Sequence, residues 1–200
     1  MSGALDVAII DSGGANLASL RYALDRLGAR SEVSTDPDLI AAAPRVLLPG
    51  VGAAADAMAR LRASRLDQLI PQLRAPLLGI CLGMQLLFEH SAEGDTRCLG
   101  LVPGRIERLQ PLAGLPVPHM GWNTLELTRA DPLLSGIASG ERVYFVHSYA
   151  ASPSETTVAA VTYGRPLAAA VRQRNFHGVQ FHPERSAAAG ARLLQNFLAL

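Results

Sequence analysis

The chain has 200 residues, 49% hydrophobic and 18% charged, enough apolar side chain for one well-buried globular domain; a second independent domain is not expected. Eighteen basic residues against 17 acidic ones give a net charge of +1 without a basic run, which excludes the electrostatic footprint of a nucleic-acid binder. No positive n-region precedes the first apolar run, and Arg, Pro or Gly interrupts every apolar stretch before about 18 residues, so neither a secretory leader nor a bilayer span is expected. Cys81 and Cys98 are expected as free thiols in a reducing cytoplasm.

Residues 7–10 form a short apolar strand, 11–15 a glycine-containing loop, and Asn16 caps a helix carrying Leu17, Leu20, Leu24 and Leu27 that stops at Gly28. A strand over 31–35, a weak helix around 36–43 and a strand over 46–49 follow. Residues 54–73 are helix-rich with a break near Pro71. The continuous apolar strand 77–80 then runs into Cys81 and a helix over 82–89. The second half contains short strands at 101–109, 124–127, 143–149, 157–163, 167–172 and 176–181, with a hairpin turn at Gly164 and Arg165 and a closing helix over 187–198 behind Ser186. This alternation predicts an α/β fold: an open, mostly parallel sheet flanked by helices, with an antiparallel extension in the second half.

The sharpest local signal is Gly79-Ile80-Cys81-Leu82-Gly83, a G-x-C-x-G sequence where an apolar strand meets a helix. A nucleophile presented on a strained strand-to-helix turn needs glycine two residues to either side, because a side chain there would strike neighbouring backbone. Helix N–H groups after the turn favour a thiolate and can hold an oxyanion. An isolated cysteine at a tight turn is more often a buried filler; the flanking glycines tip the balance to nucleophile. A thiolate needs a base, and the base an orienting acceptor. Of five histidines only His182, in Phe181-His182-Pro183-Glu184, has a carboxylate two residues on. Extended backbone puts the pair on one side, and Pro183 biases His182 to that conformation. The strand end Leu48-Pro49-Gly50-Val51-Gly52 either offers N–H groups to an anion or is a plain turn; it lacks the Lys-Ser/Thr ending of a nucleotide loop.

The segments PGVGAAADAM, GICLGMQLLFE and FHPERS, in that order, resemble the class I, triad-type glutamine amidotransferases over nearly the whole chain. Within that group DSGGANLASL, CLGLVPG, HMGWN and YFVHSY most resemble the glutaminase subunits of imidazole glycerol phosphate synthases of histidine biosynthesis. The resemblance implies a flavodoxin-like fold and a triad in which Cys81 attacks the amide carbon of L-glutamine, His182 moves the proton and Glu184 orients His182. It implies an oxyanion hole from backbone N–H groups of Leu82 and of Gly50, Val51 and Gly52. Gln85 and Glu93 are implied at the glutamine head group, and the backbone of His147, Ser148 and Tyr149 at its carboxylate. The implied partner is a (βα)₈-barrel cyclase subunit, bound as a heterodimer near Asn16, Val51, His119, Trp122, Tyr144 and Arg185. No cofactor and no metal are expected, since His177 and His182 have no cysteine or carboxylate at zinc-ligand spacing and Cys98 stands alone. The early loop, Asp11 to Asn16, departs from the family pattern, where many relatives carry an aromatic second and a glycine before the asparagine. Sibling glutaminases, a peptidase-like cysteine hydrolase and an idle binding subunit remain as alternatives. PGVG and HMGWN favour the histidine pathway.

Overall fold

A computed structural model describes residues 5–13 and 17–200. The first half is built from β1 (Val7–Ile10), α1 (Leu17–Arg26), β2 (Ser31–Ser34), α2 (Pro37–Ala42), β3 (Val46–Gly50), α3 (Ala54–Ala63), α4 (Leu66–Leu69), β4 (Leu77–Cys81) and α5 (Leu82–Gln85). Then come β5 (Phe88–Ser91), β6 (Thr96–Arg97), β7 (Val102–Arg108), β8 (His119–Thr124), β9 (Glu126–Leu127), β10 (Arg142–His147) and β11 (Tyr149–Ala151). The chain ends with β12 (Thr157–Tyr163), β13 (Arg165–Gln173), β14 (Phe176–Val179) and α6 (Ala187–Leu198).

The main sheet has eight strands in the order β2-β1-β3-β4-β14-β13-β12-β9. The run from β2 to β14 is parallel, and β13, β12 and β9 extend it antiparallel, as the alternation of elements predicts. Helices cover both faces, which is why the central strands are buried at every position rather than at alternate ones. Val7 and Ile9 point to the face lined by Leu20, Leu24, Leu193 and Phe197 of α1 and α6. Ala8 and Ile10 point to the face lined by Ile40, Met58 and Leu61 of α2 and α3. A four-stranded sheet, β11-β7-β5-β6, and the antiparallel pair β10-β8 flank the carboxyl edge.

Four expectations change, the first being the strand expected over 124–127, which divides at Leu125 between β8 and β9 of different sheets. The break in the 54–73 region falls at Arg65, in the left-handed region at φ 58°, while Pro71 sits in the tight turn Ile70–Gln72 that follows. The helix after Cys81 is a single turn, Leu82–Gln85, and not a helix to Glu89. Residues 82–88 are buried at every position, and Phe88 is withdrawn from the helix to pair with Val102 in β5. The strand expected over 143–149 is two strands of different sheets, β10 and β11, which part at Ser148. This parting shapes the site. Asn16, the expected cap of α1, lies outside the described residues.

Candidate active site

The carboxyl ends of β3, β4 and β14 lie side by side, with Gly50 opposite Cys81 and Val179 opposite Ile80. Ligands of open α/β sheets bind at this edge. Cys81 closes β4 at φ 54° and ψ −110°, a conformation that costs about 1–3 kcal/mol for a residue with a side chain and throws the sulfur out of the sheet. The glycine requirement has direct causes. A Cβ on Gly79 would stand 2.6 Å from the Gly83 carbonyl oxygen, one on Gly83 would run into the Leu48 carbonyl, and one on Gly50 would press the Gly83 nitrogen at 3.1 Å. The three glycines let β3, β4 and α5 meet backbone to backbone.

His182 follows β14 and is clamped at both ends of its peptide. Its N–H donates to the Tyr144 carbonyl at 2.9 Å, and its carbonyl accepts from the Ser186 hydroxyl. That hydroxyl also accepts the Tyr144 N–H at 3.0 Å. The His182 side chain donates from Nδ1 to Oε1 of Glu184 at 2.8 Å, with both groups buried. This bond fixes the tautomer and leaves Nε2 on the Cys81 side. Burial alone would push the His182 pKa down. The facing Cys81 sulfur and the Glu184 carboxylate outweigh burial and hold it above its ordinary value, which favours the imidazolium. His182 Nε2 has no formed hydrogen bond, so Cys81 acts on it across a gap that proton transfer would close. The Cys81 thiol donates to the Val146 carbonyl at 3.8 Å and accepts from Nε2 of Gln180 at 3.8 Å.

Cys81 and His182 open onto a cleft of about 350 Å³, whose walls include every expected glutamine-contacting residue: Gln85, Glu93, His147, Ser148 and Tyr149. Val51, Gly52 and Leu82 of the expected oxyanion hole line it too, and Gly50 sits one residue behind, in the ladder with Cys81. Glu93 is held inward, its Oε2 accepting the Ala54 N–H at the start of α3 at 2.9 Å, rather than trailing in a solvated loop. Gln85 donates from Nε2 to the Tyr149 carbonyl at 2.8 Å and to Oε1 of Gln180 at 2.9 Å.

The His147 ring points away from the cleft contents into a buried chain. Its Nδ1 donates to the Tyr149 carbonyl at 2.9 Å. Its Nε2 meets Nδ1 of His119 at 2.9 Å, and Nε2 of His119 accepts from Asn123 at 3.2 Å. Each donor finds an acceptor only if both rings are neutral. Burial agrees, pushing His119 down to about 4 and His147 down to about 3. His119, expected at the partner face, is a correction: it is 3% exposed, stacked between Phe145 and Tyr163, and out of reach of a partner. Its strand neighbours Met120 and Trp122, on the opposite pleat, are 66% and 45% exposed. Trp122 meets Tyr144 edge-on at 6.1 Å, and the Arg185 guanidinium sits 4.1 Å over the Tyr144 ring, so these three expected interface residues form one cluster.

The buried histidines set an acid limit on stability. His119, His147 and His177, the last also pushed down to about 4 by burial, must stay neutral to fold, whereas the unfolded chain protonates them below about 6.5. Their contribution is therefore intact above pH 6.5 and is lost as pH falls toward 4, at roughly 1.4 kcal/mol per pH unit for each ring. His182 has the opposite sign: its folded-state pKa is raised, so its contribution is fully present below 6.5 and lost as pH rises. Urea unfolding across pH 4–9 is expected to show a maximum near pH 6.5 with a steep acid side. A flat acid side would contradict the neutral chain.

Two functional residues escaped the sequence reading. Ser186 carries the clamp on His182, and Gln180 touches the sulfur. The signal for Gln180 was present: a polar residue in an apolar strand, two before His182 and on its side of the pleat. Both cysteines are free thiols, and burial pushes Cys98 up to about 11. Among the described residues no group of three His, Cys, Asp or Glu is placed to hold a metal, and no helix is long and apolar enough to cross a membrane.

A cysteine on a glycine-framed strand-to-helix elbow, facing a buried His-Glu pair at the carboxyl edge of a mostly parallel sheet, defines an α/β enzyme equipped for acyl transfer through a thiolate. The profile of the glutamine amidotransferase class-I family matches residues 8–200, and the chain belongs to that family. It is 54% identical over 195 residues, 98% of each chain, to the imidazole glycerol phosphate synthase subunit HisH of Xanthomonas campestris pv. campestris strain 8004. The subunit of the same name from Xylella fastidiosa strain Temecula1 is likewise 54% identical over 98% of each chain. Among solved structures, a putative GMP synthase protein from Thermoplasma acidophilum superposes with a TM-score of 0.75 at 18% identity, covering 100% of this chain and 94% of its own. A structure described as glutamine amidotransferase gives 0.74 at 20% identity, covering 96% and 97%. These two establish likeness of fold.

Proposed function

We propose that the chain is the glutaminase subunit of an imidazole glycerol phosphate synthase, hydrolysing L-glutamine to glutamate and ammonia for histidine biosynthesis in the cytoplasm. Residues 1–200 act as one glutamine amidotransferase domain. One observation carries the reading: Cys81 and His182, the latter held by Glu184 from behind, open onto one cleft in a chain 54% identical over 98% of its length to subunits of that synthase.

His182 Nε2 takes the Cys81 proton, and the sulfur attacks the side-chain amide carbon of glutamine. A C–S bond forms as the carbonyl π pair moves onto oxygen. Collapse of this intermediate breaks the C–N bond, the imidazolium proton goes to the leaving nitrogen, and ammonia departs from a thioester. Water, losing its proton to His182, adds to the thioester; the second intermediate expels the sulfur, which is reprotonated, and glutamate leaves. The oxyanion in both intermediates is assigned to backbone N–H groups of Leu82 and the Gly50, Val51 and Gly52 loop, each such donor contributing about 10²–10³-fold in rate. Glu93, with one oxygen committed to Ala54, keeps the other for the substrate ammonium, and Gln85 contacts the same head group. The carboxylate is assigned to backbone at His147, Ser148 and Tyr149.

Ammonia is handed to a (βα)₈-barrel cyclase subunit in a heterodimer docked on the face bearing Trp122, Tyr144 and Arg185, with the exposed Val51 and, by the family resemblance alone, Asn16 assigned to the same interface. His119 supports this face from behind. No cofactor or metal takes part. Glutamate release by the chain alone and with a ligand-occupied cyclase subunit tests the assignment: stimulation by the partner is expected, and a complex that stays inactive would redirect the search to sibling synthases. Trp122→Ala is expected to weaken the complex roughly tenfold or more by calorimetric titration, and unchanged affinity would move the interface elsewhere.

A further inference from the structure

We propose that Gln180 is a further catalytic residue, its side-chain amide holding the Cys81 sulfur as a thiolate, an inference that rests on Cys81 being the nucleophile. Parallel pairing sets Gly178 beside Gly79 and Val179 beside Ile80, so the next residue of that strand line, Gln180, comes beside Cys81. Gln180 is fully buried, and a buried amide must have its donors and acceptor satisfied. Its orientation is not free. Gln85 Nε2 donates to Oε1 of Gln180 at 2.9 Å, so the other end, Nε2, is the one turned to Sγ of Cys81 at 3.8 Å. Gln85 is in turn pinned by the Tyr149 carbonyl at 2.8 Å.

The two contacts of the sulfur respond oppositely to ionisation. In the thiol form the S–H rests on the Val146 carbonyl, which repels the sulfur once its proton has gone to His182. The Gln180 N–H attracts the sulfur more strongly after ionisation, because a bond to an ionised acceptor is shorter and stronger. Proton transfer thus moves the sulfur off Val146 and onto Gln180, with imidazolium on one side and an amide dipole on the other. Gln85 lines the cleft, so substrate against Gln85 presses on the group that sets this dipole.

The test reads the ionisation of Cys81, not turnover. Iodoacetamide labelling of Cys81 is followed against pH by peptide mass, which separates it from Cys98, a buried thiol pushed up to about 11. The ionisable groups already around the sulfur, His182, Glu184, Glu93 and His147, are retained in both variants, and only Gln180→Glu adds one, the new carboxyl itself. Gln180→Met keeps the volume without donors; Gln180→Glu keeps the shape and places an acceptor there. The labelling midpoint is expected to rise by about one pH unit in Gln180→Met, roughly tenfold less thiolate at a fixed pH below it, and further in Gln180→Glu. A Gln180→Met midpoint equal to that of wild type, or a Gln180→Glu midpoint no higher than that of Gln180→Met, overturns the proposal. Should the variants not fold, the unaltered protein decides: the Gln180 side-chain amide NMR resonances are expected to shift with the Cys81 midpoint, and resonances that stay still overturn it. A wrong glutaminase reading would show differently, as no glutamine hydrolysis despite a normal Cys81 titration.

Discussion

Cys81→Ser is expected to lower partner-stimulated glutamine hydrolysis by roughly 10⁴–10⁶-fold while leaving the urea unfolding midpoint near that of wild type. The elbow supplies the reason for both halves. The conformation at φ 54° and the glycine contacts around it belong to the backbone and survive the exchange, so the hydroxyl stands where the sulfur stood. A serine hydroxyl keeps its proton far more tightly, and a base suited to a thiol cannot remove it. The substitution also removes the first of the groups that raise the His182 pKa, so the His182 ring, followed by NMR, is expected to titrate lower in Cys81→Ser than in wild type. Hydrolysis within tenfold of wild type would remove Cys81 from the mechanism.

Glu184→Gln is the second large effect, about 10³–10⁴-fold in kcat by analogy with triads whose acid is neutralised. An amide has the shape to keep contact with His182 Nδ1, but it carries no charge to stabilise the imidazolium and can present an N–H that forces the other tautomer. Glu184 does not line the glutamine cleft; it borders a small separate cavity behind it with Pro49 and Ile80. KM for glutamine is therefore expected to stay within about threefold while kcat collapses, the pattern of an interaction made only in the transition state. A rise in KM with kcat preserved would make Glu184 a substrate contact instead.

What the sequence discloses about this site follows from how local each constraint is. Gly79, Cys81 and Gly83 are legible because the elbow is made within five residues. His182 and Glu184 are legible because two residues of extended chain decide their common side. Helix α6 is legible from its Ala/Leu-rich run behind Ser186, and the structure returns it over the expected residues. The rest depends on partners distant along the chain. Gln180 shows locally only as a polar residue in an apolar strand; that it meets Cys81, 99 residues away, depends on a register between parallel strands that the sequence does not mark. His119 reads as a surface residue in HMGWN until β8 is paired with β10 and the strand face carrying it turns inward on Phe145. The single-turn α5 defeats helical periodicity because residues 82–88 are nearly all apolar and buried at every position, and such a run suits helix and strand alike.

The order of the central strands has a consequence during synthesis. β14 is inserted between β4 and β13, so the edge of β4 next to Cys81 has no neighbour until nearly the last residues of the chain exist. At about 5–20 residues per second a ribosome takes roughly 5–20 s to travel from Cys81 to its contact Gln180, and His182 arrives at the same moment. For that interval the nascent protein holds an elbow with a thiol and no base, unable to hydrolyse glutamine. Release of ammonia has to wait until β14 slots into the sheet and brings His182 to the elbow, so completing the sheet also completes the chemistry.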